Sequence, residues 1–339
     1  MNQKLEIDNS GRGNCMYYAY SISLMCFLRS KGHKETTDQV LAKLQLVEEE
    51  KNRLYSLLSD ASDESFTSDE IKNIIEPILG PATRSLGARR TRQEFLDDPM
   101  SSPIFTSAYY GLEYAFKQQL NLQQSPLAML LDNQFDNREF TSAEIYQVTN
   151  IQNRMKEFAA RQVMGLIDAF DRQWQEKLNS LSDKSENNLI FHRNQLLTTL
   201  IRTQTVAFYN EHDHAELDRY VQHLDTNYQC ATDETLMTLH RAIVGEKMSR
   251  NPITKAIETS HDTKISIHIF KNGHPASPIN VNETPDIILN HRGYGHWTSL
   301  IPVSPNDLNE REMRNHALEL SGFNTSFSVH DNFSYPDSM

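Results

Sequence analysis

The segment 15–28 sets the tightest limit on what this chain can fold into. It carries Ala19, Ile22, Leu24, Met25, Cys26, Phe27 and Leu28, apolar around most of a helical wheel, and a helix without a polar face has to be covered on every side. A polar, glycine-bearing loop, Asp8-Asn9-Ser10-Gly11-Arg12-Gly13-Asn14, leads into it, and Gly32 offers a C′ stop. The expectation is a buried central helix with a pliable loop at its N-terminus.

The rest of the chain supplies the cover. From about 36 to 258 the pattern is helical almost throughout, with starts at Ser68 before Asp69 and Glu70, at Pro126 after Ser125, and at Ser142 before Glu144. Residues 142–178 form one long candidate, in which Ile145, Val148, Ile151, Met155, Phe158, Val163, Leu166, Phe170 and Trp174 recur at helical spacing. A second runs over 189–209, and the Asn- and Ser-rich stretch 179–188 makes the turn of a helical hairpin. Beyond Thr263 the period falls to two: Ile265, Ile267 and Ile269 alternate with Ser266, His268 and Phe270 until Asn272 and Gly273. Runs at 287–289 and 297–303 flank Asn290-His291-Arg292-Gly293-Tyr294-Gly295 as a hairpin with a six-residue tip. A short helix is expected at 309–320, followed by a polar tail, 321–339. Together these make an α+β protein with its sheet near the C-terminus.

Charge and composition remove whole classes of function. The 33 Lys and Arg against 45 Asp and Glu leave a net charge of -12, which disfavours a phosphate backbone and hence nucleic acid. No stretch approaches the roughly 20 apolar residues of a membrane-spanning helix, and Met-Asn-Gln-Lys-Leu-Glu lacks a secretory signal's apolar core. Cys15, Cys26 and Cys230 are an odd set without CxxC spacing, so a disulfide framework or a cysteine zinc site is not expected, and a reducing cytosol is.

Of these cysteines, Cys15 falls at the first turn of the apolar helix, where unpaired amides and the helix dipole stabilise a thiolate. The glycines beside it let the backbone curl, so that the amides of Gly13, Asn14 and Cys15 could converge on an oxyanion. Cys26, inside the helix, and Cys230, in a loop, are assigned to structure. A thiol nucleophile needs a base. Among 13 histidines, His296 opens a strand after a glycine turn and is followed by Trp297, placed to shield one face of the imidazole. His33, His192, His223, His240 and His316 read as surface residues. His212 and His214, two apart on a helix, face away from each other and make a poor metal pair. For the acceptor that orients the imidazole, Asp8 heads the cysteine loop; Thr298 competes for the role without a charge, and a turn-capping aspartate is the plain alternative for Asp8.

The stretch from Asp8 through Gly13-Asn14-Cys15-Met16-Tyr17-Tyr18-Ala19 resembles the nucleophile loop of the OTU (ovarian tumour) family of cysteine deubiquitinases, whose hallmark is Gly-Asn-Cys before a bulky pair and a helix. A helix at 236–248, the two isoleucine-rich strands and Gly295-His296-Trp297-Thr298-Ser299-Leu300 are similar to the closing elements of that fold. Many members carry Asp where this chain has Arg12, and Asp or Asn where it has Thr298. The bacterial effector-type members instead place an aspartate at the head of the loop, matching Asp8, and insert a large helical lobe between cysteine and histidine.

The resemblance implies a papain-like OTU catalytic core made of 1–32 and 233–320, with 33–232 as the inserted helical lobe. It implies a Cys15-His296-Asp8 triad, hydrolysis of ubiquitin-lysine isopeptide bonds through a thioester, and no metal or organic cofactor. The implied partners are ubiquitin and polyubiquitin chains, the lobe gripping the distal ubiquitin. A chain at -12 would be drawn to ubiquitin's basic rim. Candidate docking stretches are Tyr109 and Tyr110, and the helix face with Met155 and Met164. The branch also implies delivery into a host cytosol as a secreted bacterial effector. The rivals are another papain-like peptidase or acyltransferase, and a non-catalytic helical adaptor with a dead core.

Overall fold

The computed structural model describes residues 4–11, 13–31, 34–59, 66–131, 151–226, 233–250, 257–276, 285–293 and 296–302. Strand β1 (Lys4–Ile7) leads through the polar loop to helix α1 (Cys15–Lys31). The chain continues through α2 (Lys34–Lys43), α3 (Glu48–Ser59) and α4 (Ser68–Glu70), then a π-helical turn (Ile71–Ile75) running straight into α5 (Glu76–Asp97). Next come α6 (Pro103–Leu122), the paired long helices α7 (Ile151–Ser180) and α8 (Glu186–Leu224), and α9 (Asp233–Val244). Strands β2 (Lys247–Arg250), β3 (Ile257–Ser260), β4 (Ile267–Lys271), β5 (His274–Pro275), β6 (Ile287–His291) and β7 (Trp297–Pro302) follow.

Helix α1 is covered on all sides, as its sequence requires: Met16, Tyr20, Ile22, Leu24 and Met25 are at most 1% exposed. On one side lies the five-stranded sheet in the order β1-β7-β6-β4-β5. The seryl side chains of this interface satisfy backbone carbonyls, Ser299 donating to Ala19 and Ser23 to Ile288, so polar groups are buried there without loss of partners. The same apolar cluster takes in Val40, Leu41, Leu54, Leu57, Ile75, Ile78 and Leu79 from α2 to the start of α5. A second cluster is built from the later part of α5 together with α6, α7 and α8, including Phe95, Phe116, Phe158, Trp174 and Phe208. Arg241 of α9 ties to Glu94 of α5 through two parallel 2.8 Å bonds, geometry that holds a partly buried ion pair well.

Several local expectations are corrected. The N-cap near Ser68 is Thr67, in a reciprocal capping box with Glu70. Pro126 opens a short 3-10 turn rather than an α-helix, with Ser125 as its cap. The second long helix does end close to 209: at Glu211–His214 the backbone leaves helical geometry, with His212, Asp213 and His214 at φ of 52°, 56° and 65°, and a further helical segment, not expected from the sequence, continues to Leu224. The helix expected over 236–248 ends at Val244, because Gly245 (φ +67°) closes a Schellman motif, its N–H bonding Ala242 and the Glu246 N–H bonding Arg241. The chain then forms the β2–β3 hairpin inside a region read as helical.

Ile265, Ile267 and Ile269 pack on the central apolar cluster, as their alternation predicts, the last two only partly buried, and Phe270, beyond the alternating isoleucines, is buried as well. Asn272 and Gly273, both at positive φ, turn β4 into β5. Asn290 and His291 belong to β6 rather than to the hairpin tip, paired with Thr298 and Trp297. Strand β1, absent from the sequence reading, pairs with β7. The expected helix starts at 142–150, Cys230, the helix at 309–320 and the tail 321–339 lie outside the described residues. Among the described residues no helix is long and apolar enough to cross a membrane.

Candidate active site

Sheet register brings the ends of the chain together. Ile7 pairs with Ser299, so the chain leaves β1 at Asp8 beside the start of β7. His296 sits in the β6–β7 tip, its N–H donating to the Gly293 carbonyl (3.0 Å) and its carbonyl accepting from the Arg292 N–H (2.9 Å). Its ring reaches back to Asp8, Nε2 to Oδ1 2.9 Å, with the imidazole 34% exposed. A carboxylate oxygen accepts, so the hydrogen-bond network assigns the proton to Nε2 and leaves Nδ1 basic.

Cys15 is the first residue of α1 and is buried. The loop before it is folded by Gly11 (φ +69°) and Gly13 (φ +78°), a conformation that L side chains resist. Asn9 is its fastener. Its Oδ1 accepts from the Gly11 N–H (3.0 Å), while its Nδ2 donates both to the Cys15 carbonyl (3.3 Å) and to the Trp297 carbonyl (2.7 Å). One side-chain nitrogen thus links the candidate nucleophile's residue to the residue after His296. The Asn14 N–H closes a turn onto the Gly11 carbonyl, 3.2 Å.

Helix α5 forms the floor under this loop. Glu76, 3% exposed, accepts from the Ser10 N–H (2.9 Å) and hydroxyl (2.5 Å). Gly80, one turn on, lies so close to Tyr18 that a Cβ there would stand 2.3 Å from the ring. Arg84, a further turn on and 1% exposed, donates through Nη2 to the Asn14 side-chain oxygen and packs its guanidinium 4.3 Å from the Tyr17 ring centroid.

Thr298 does not meet the imidazole. It is fully buried and its hydroxyl donates to Glu6 Oε1 at 2.5 Å. Glu6 also accepts from Arg292 and Asn290, and these bonds, Arg292's foremost, hold its carboxyl down at about 2 against the opposing effect of burial. Trp297 shields a different imidazole from the one expected: its indole is buried and stacks on His291, with centroids 4.6 Å apart. Successive strand residues face opposite ways, so Trp297 points into the core while His296 turns outward.

Other candidates fall elsewhere. Burial pushes the Cys26 thiol up to about 12, which makes it unreactive at neutral pH. His240 is no surface residue: it is 7% exposed and wedged between the Tyr20 hydroxyl and the Ile265 carbonyl, each at 3.0 Å. His212 and His214 lie in the left-handed turn of α8 rather than on a helix face. Among the described residues no group of three or more His, Cys, Asp or Glu side chains is arranged to hold a metal. Met155 is core, packed against Gly111, whereas Met164 is 55% exposed; Tyr109 and Tyr110 are half-buried.

Sequence reasoning missed Glu6, Asn9, Glu76 and Arg84. The spacing of Gly80, Arg84 and Gly87 along one helical stripe was the available signal for a helix approached closely by another element.

A cysteine opening a helix, fastened through Asn9 to the strand that follows a histidine bonded to a carboxylate, is an arrangement that fits the papain-like cysteine hydrolases. Solved structures narrow this class. The chain is similar to an OTU deubiquitinase crystallised in complex with Ub-PA, at TM-score 0.82 and 40% identity over 94% of this chain and 80% of that one. It is also similar to an OTU-like deubiquitinase from Legionella, at TM-score 0.75 and 42% identity over 85% of this chain and 100% of that one. No family model matches the sequence, and no curated protein does. With such identity over most of the length of both relatives, the chain belongs to the OTU family of cysteine deubiquitinases.

Proposed function

We propose that this protein is a ubiquitin-directed thiol isopeptidase in which Cys15 is the nucleophile, His296 the general base and acid, and Asp8 the group that orients the imidazole. The observation that carries the reading is the 2.9 Å bond from His296 Nε2 to Asp8, made beside the Asn9 fastener that links the Cys15 and Trp297 backbones. Nδ1 takes the Cys15 proton as the sulfur attacks the carbonyl of ubiquitin's C-terminal glycine. The tetrahedral oxyanion rests on amides of Gly13, Asn14 and Cys15, the Asn14 N–H joining when its turn onto Gly11 opens. The intermediate collapses as the lysine amine departs with the proton from Nδ1, leaving a thioester. Water, deprotonated at the same nitrogen, then releases ubiquitin's carboxylate and restores the thiol.

The division proposed for the chain is a catalytic core of 1–32 and 233–320 with 33–232 inserted. The second apolar cluster, with its own aromatic core in α6–α8, supports the outer part of the insertion as a separate lobe, and we propose ubiquitin and polyubiquitin as the partners it engages. The likeness to a Legionella protein supports delivery into a host cytosol as a bacterial effector.

Labelling with ubiquitin-propargylamide tests the activity. The wild-type protein is expected to form a covalent adduct mapped to Cys15 and to cleave diubiquitin, and Cys15→Ala to do neither. An adduct that persists in Cys15→Ala would move the nucleophile elsewhere, and a wild-type protein inert to probe and diubiquitin would leave the non-catalytic adaptor.

A further inference from the structure

The floor of the cysteine loop holds a charge the proposed mechanism does not use. Arg84 is 1% exposed, and its hydrogen bonds go to neutral acceptors: the Asn14 side-chain oxygen and, 2.6 Å away, the Thr226 carbonyl just past the end of α8. Its guanidinium lies over the face of Tyr17, and its Nε is buried with no hydrogen-bond partner among the described residues. Among the described residues no carboxylate lies within ion-pair distance. Asp225, whose charge does act on it, is engaged by the Ser85 hydroxyl. A buried cation whose charge nothing in contact cancels is expensive to hold. The position is worth that cost if an anion forms beside it; of the ionisable groups on the first turn of α1 that act on Arg84, Tyr17, Tyr18 and Cys15, the thiol of Cys15 is the one that ionises most readily.

We propose that Arg84 is a positioning residue for the cysteine chemistry: through Asn14 it fixes the loop that carries Cys15, and its standing charge favours the thiolate. The inference rests on the reading of Cys15 as the nucleophile. Glu76 and Arg84, two helical turns apart on α5, grip the loop on either side of its glycines, at Ser10 and at Asn14. The bond to Thr226, two residues past the end of α8, also ties the loop to the chain leaving that helix, so this turn and Asn14, the residue before the nucleophile, share one side chain. Among the described residues, the charged and titratable groups around the Cys15 turn are Asp8 and His296 from the sheet side, Glu76 and Arg84 from α5, Tyr17 and Tyr18 on α1, and Asp225 at the end of α8. Of these, the cations are Arg84 and, when protonated, His296.

The experiment is therefore the pH profile of Cys15 alkylation by iodoacetamide, read by peptide mass mapping, in the full chain carrying His296→Ala so that the imidazole cannot contribute. The expected midpoint lies well below the ordinary thiol value of about 8.5. Adding Arg84→Met should raise it by about one pH unit or more, and Arg84→Lys should restore most of the difference. In the otherwise wild-type chain, Arg84→Met should slow ubiquitin-propargylamide labelling at pH 7 by about tenfold or more, and raising the pH should recover the loss. An unchanged midpoint in Arg84→Met overturns the proposal. So does a midpoint at or above about 8.5 in His296→Ala alone, a measurement that stands even if Arg84→Met fails to fold. Failure of the underlying reading looks different: the wild-type chain would then show no probe labelling dependent on Cys15.

Discussion

His296 and Asp8, at opposite ends of the described chain, share a 2.9 Å hydrogen bond because β1 runs antiparallel against β7 and ends one residue short of the aspartate. The imidazole is thereby held with one nitrogen occupied and the other available. If Asp8 only orients the ring, its loss is partial, since the tip bonds to Gly293 and Arg292 still place the backbone of His296. Asp8→Ala is expected to lower kcat/KM on a fluorogenic ubiquitin substrate by about ten- to a hundredfold, and His296→Ala by about a thousandfold or more. A wild-type rate in Asp8→Ala would remove the carboxylate from the mechanism.

Asn9 makes three bonds across the loop, to the Gly11 amide and to the carbonyls of Cys15 and Trp297. Removing it leaves partly buried backbone groups without their partner, at about 1–3 kcal/mol. Asn9→Ala should accordingly lower the melting temperature modestly and the rate of probe labelling severely, because the loop and β7 lose their common anchor. Equal, small losses in both would reduce Asn9 to an ordinary turn residue.

What the sequence disclosed and what it hid divide along physical lines. The helix at Cys15 and the strand after Gly295 were legible, because apolar periodicity and glycine placement are local signals; Asp8 was a candidate only through its place at the head of the cysteine loop and the family resemblance. The edge strand β1 was not legible: Lys4-Leu5-Glu6-Ile7 alternates charged and apolar residues, but four residues are too short a run to stand out, and pairing with β7 makes them a strand. Arg84 and Glu76 were invisible for the same reason. Their role depends on two helical turns of α5 lying under a loop more than sixty residues earlier in the chain, which no local pattern encodes. The early stop of α9 was foreseeable in Gly245, a Schellman residue read as part of a helix.

Gly80 tests how tightly that floor fits. A methyl group there would stand 2.3 Å from the Tyr18 ring, and Tyr18 accepts a hydrogen bond from the Asn14 side chain (3.2 Å). Gly80→Ala should favour the isolated helix by about 1 kcal/mol, yet the clash is expected to outweigh that gain and displace the loop. The expected outcome is a lower melting temperature together with slower Cys15 alkylation; a more stable protein with unchanged alkylation would show that the contact yields easily.

Glu6 links the edge strand to Thr298, Asn290 and Arg292, and its carboxyl stays ionised in the fold down to about 2, against 4.5 in the unfolded chain. Between those values the unfolded state binds the extra proton, so the stabilisation is complete above pH 4.5 and drains away as the pH falls towards 2. Because Arg292 is half-exposed, solvent screens the pair, and Glu6→Gln should cost only about 1 kcal/mol at neutral pH. Melting temperatures of the variant should fall less steeply with acid over that window; parallel curves would refute the assignment.

His240 acts in a milder window and by the opposite route, burial of a neutral ring. The Ile265 carbonyl can only accept, so Nε2 carries the hydrogen and Nδ1 accepts from Tyr20. Burial holds the ring's protonation down at about 4, against 6.5 in an open chain. Above pH 6.5 the folded and unfolded states are both neutral here and the site contributes its full share. As the pH drops from 6.5 to 4 the unfolded chain gains a proton the fold refuses, and stability declines by an amount on the order of 3 kcal/mol. Since Tyr20 belongs to α1 and Ile265 lies just before β4, the strain falls on the join between central helix and sheet that also aligns Cys15 with β7. His240→Gln is therefore expected to be less stable at pH 7, because it breaks one of these bonds, but to lose much of the wild-type decline between pH 6.5 and 4 in a series of thermal melts. A variant whose melting temperature falls as steeply as wild type across that range would place the acid sensitivity at another group.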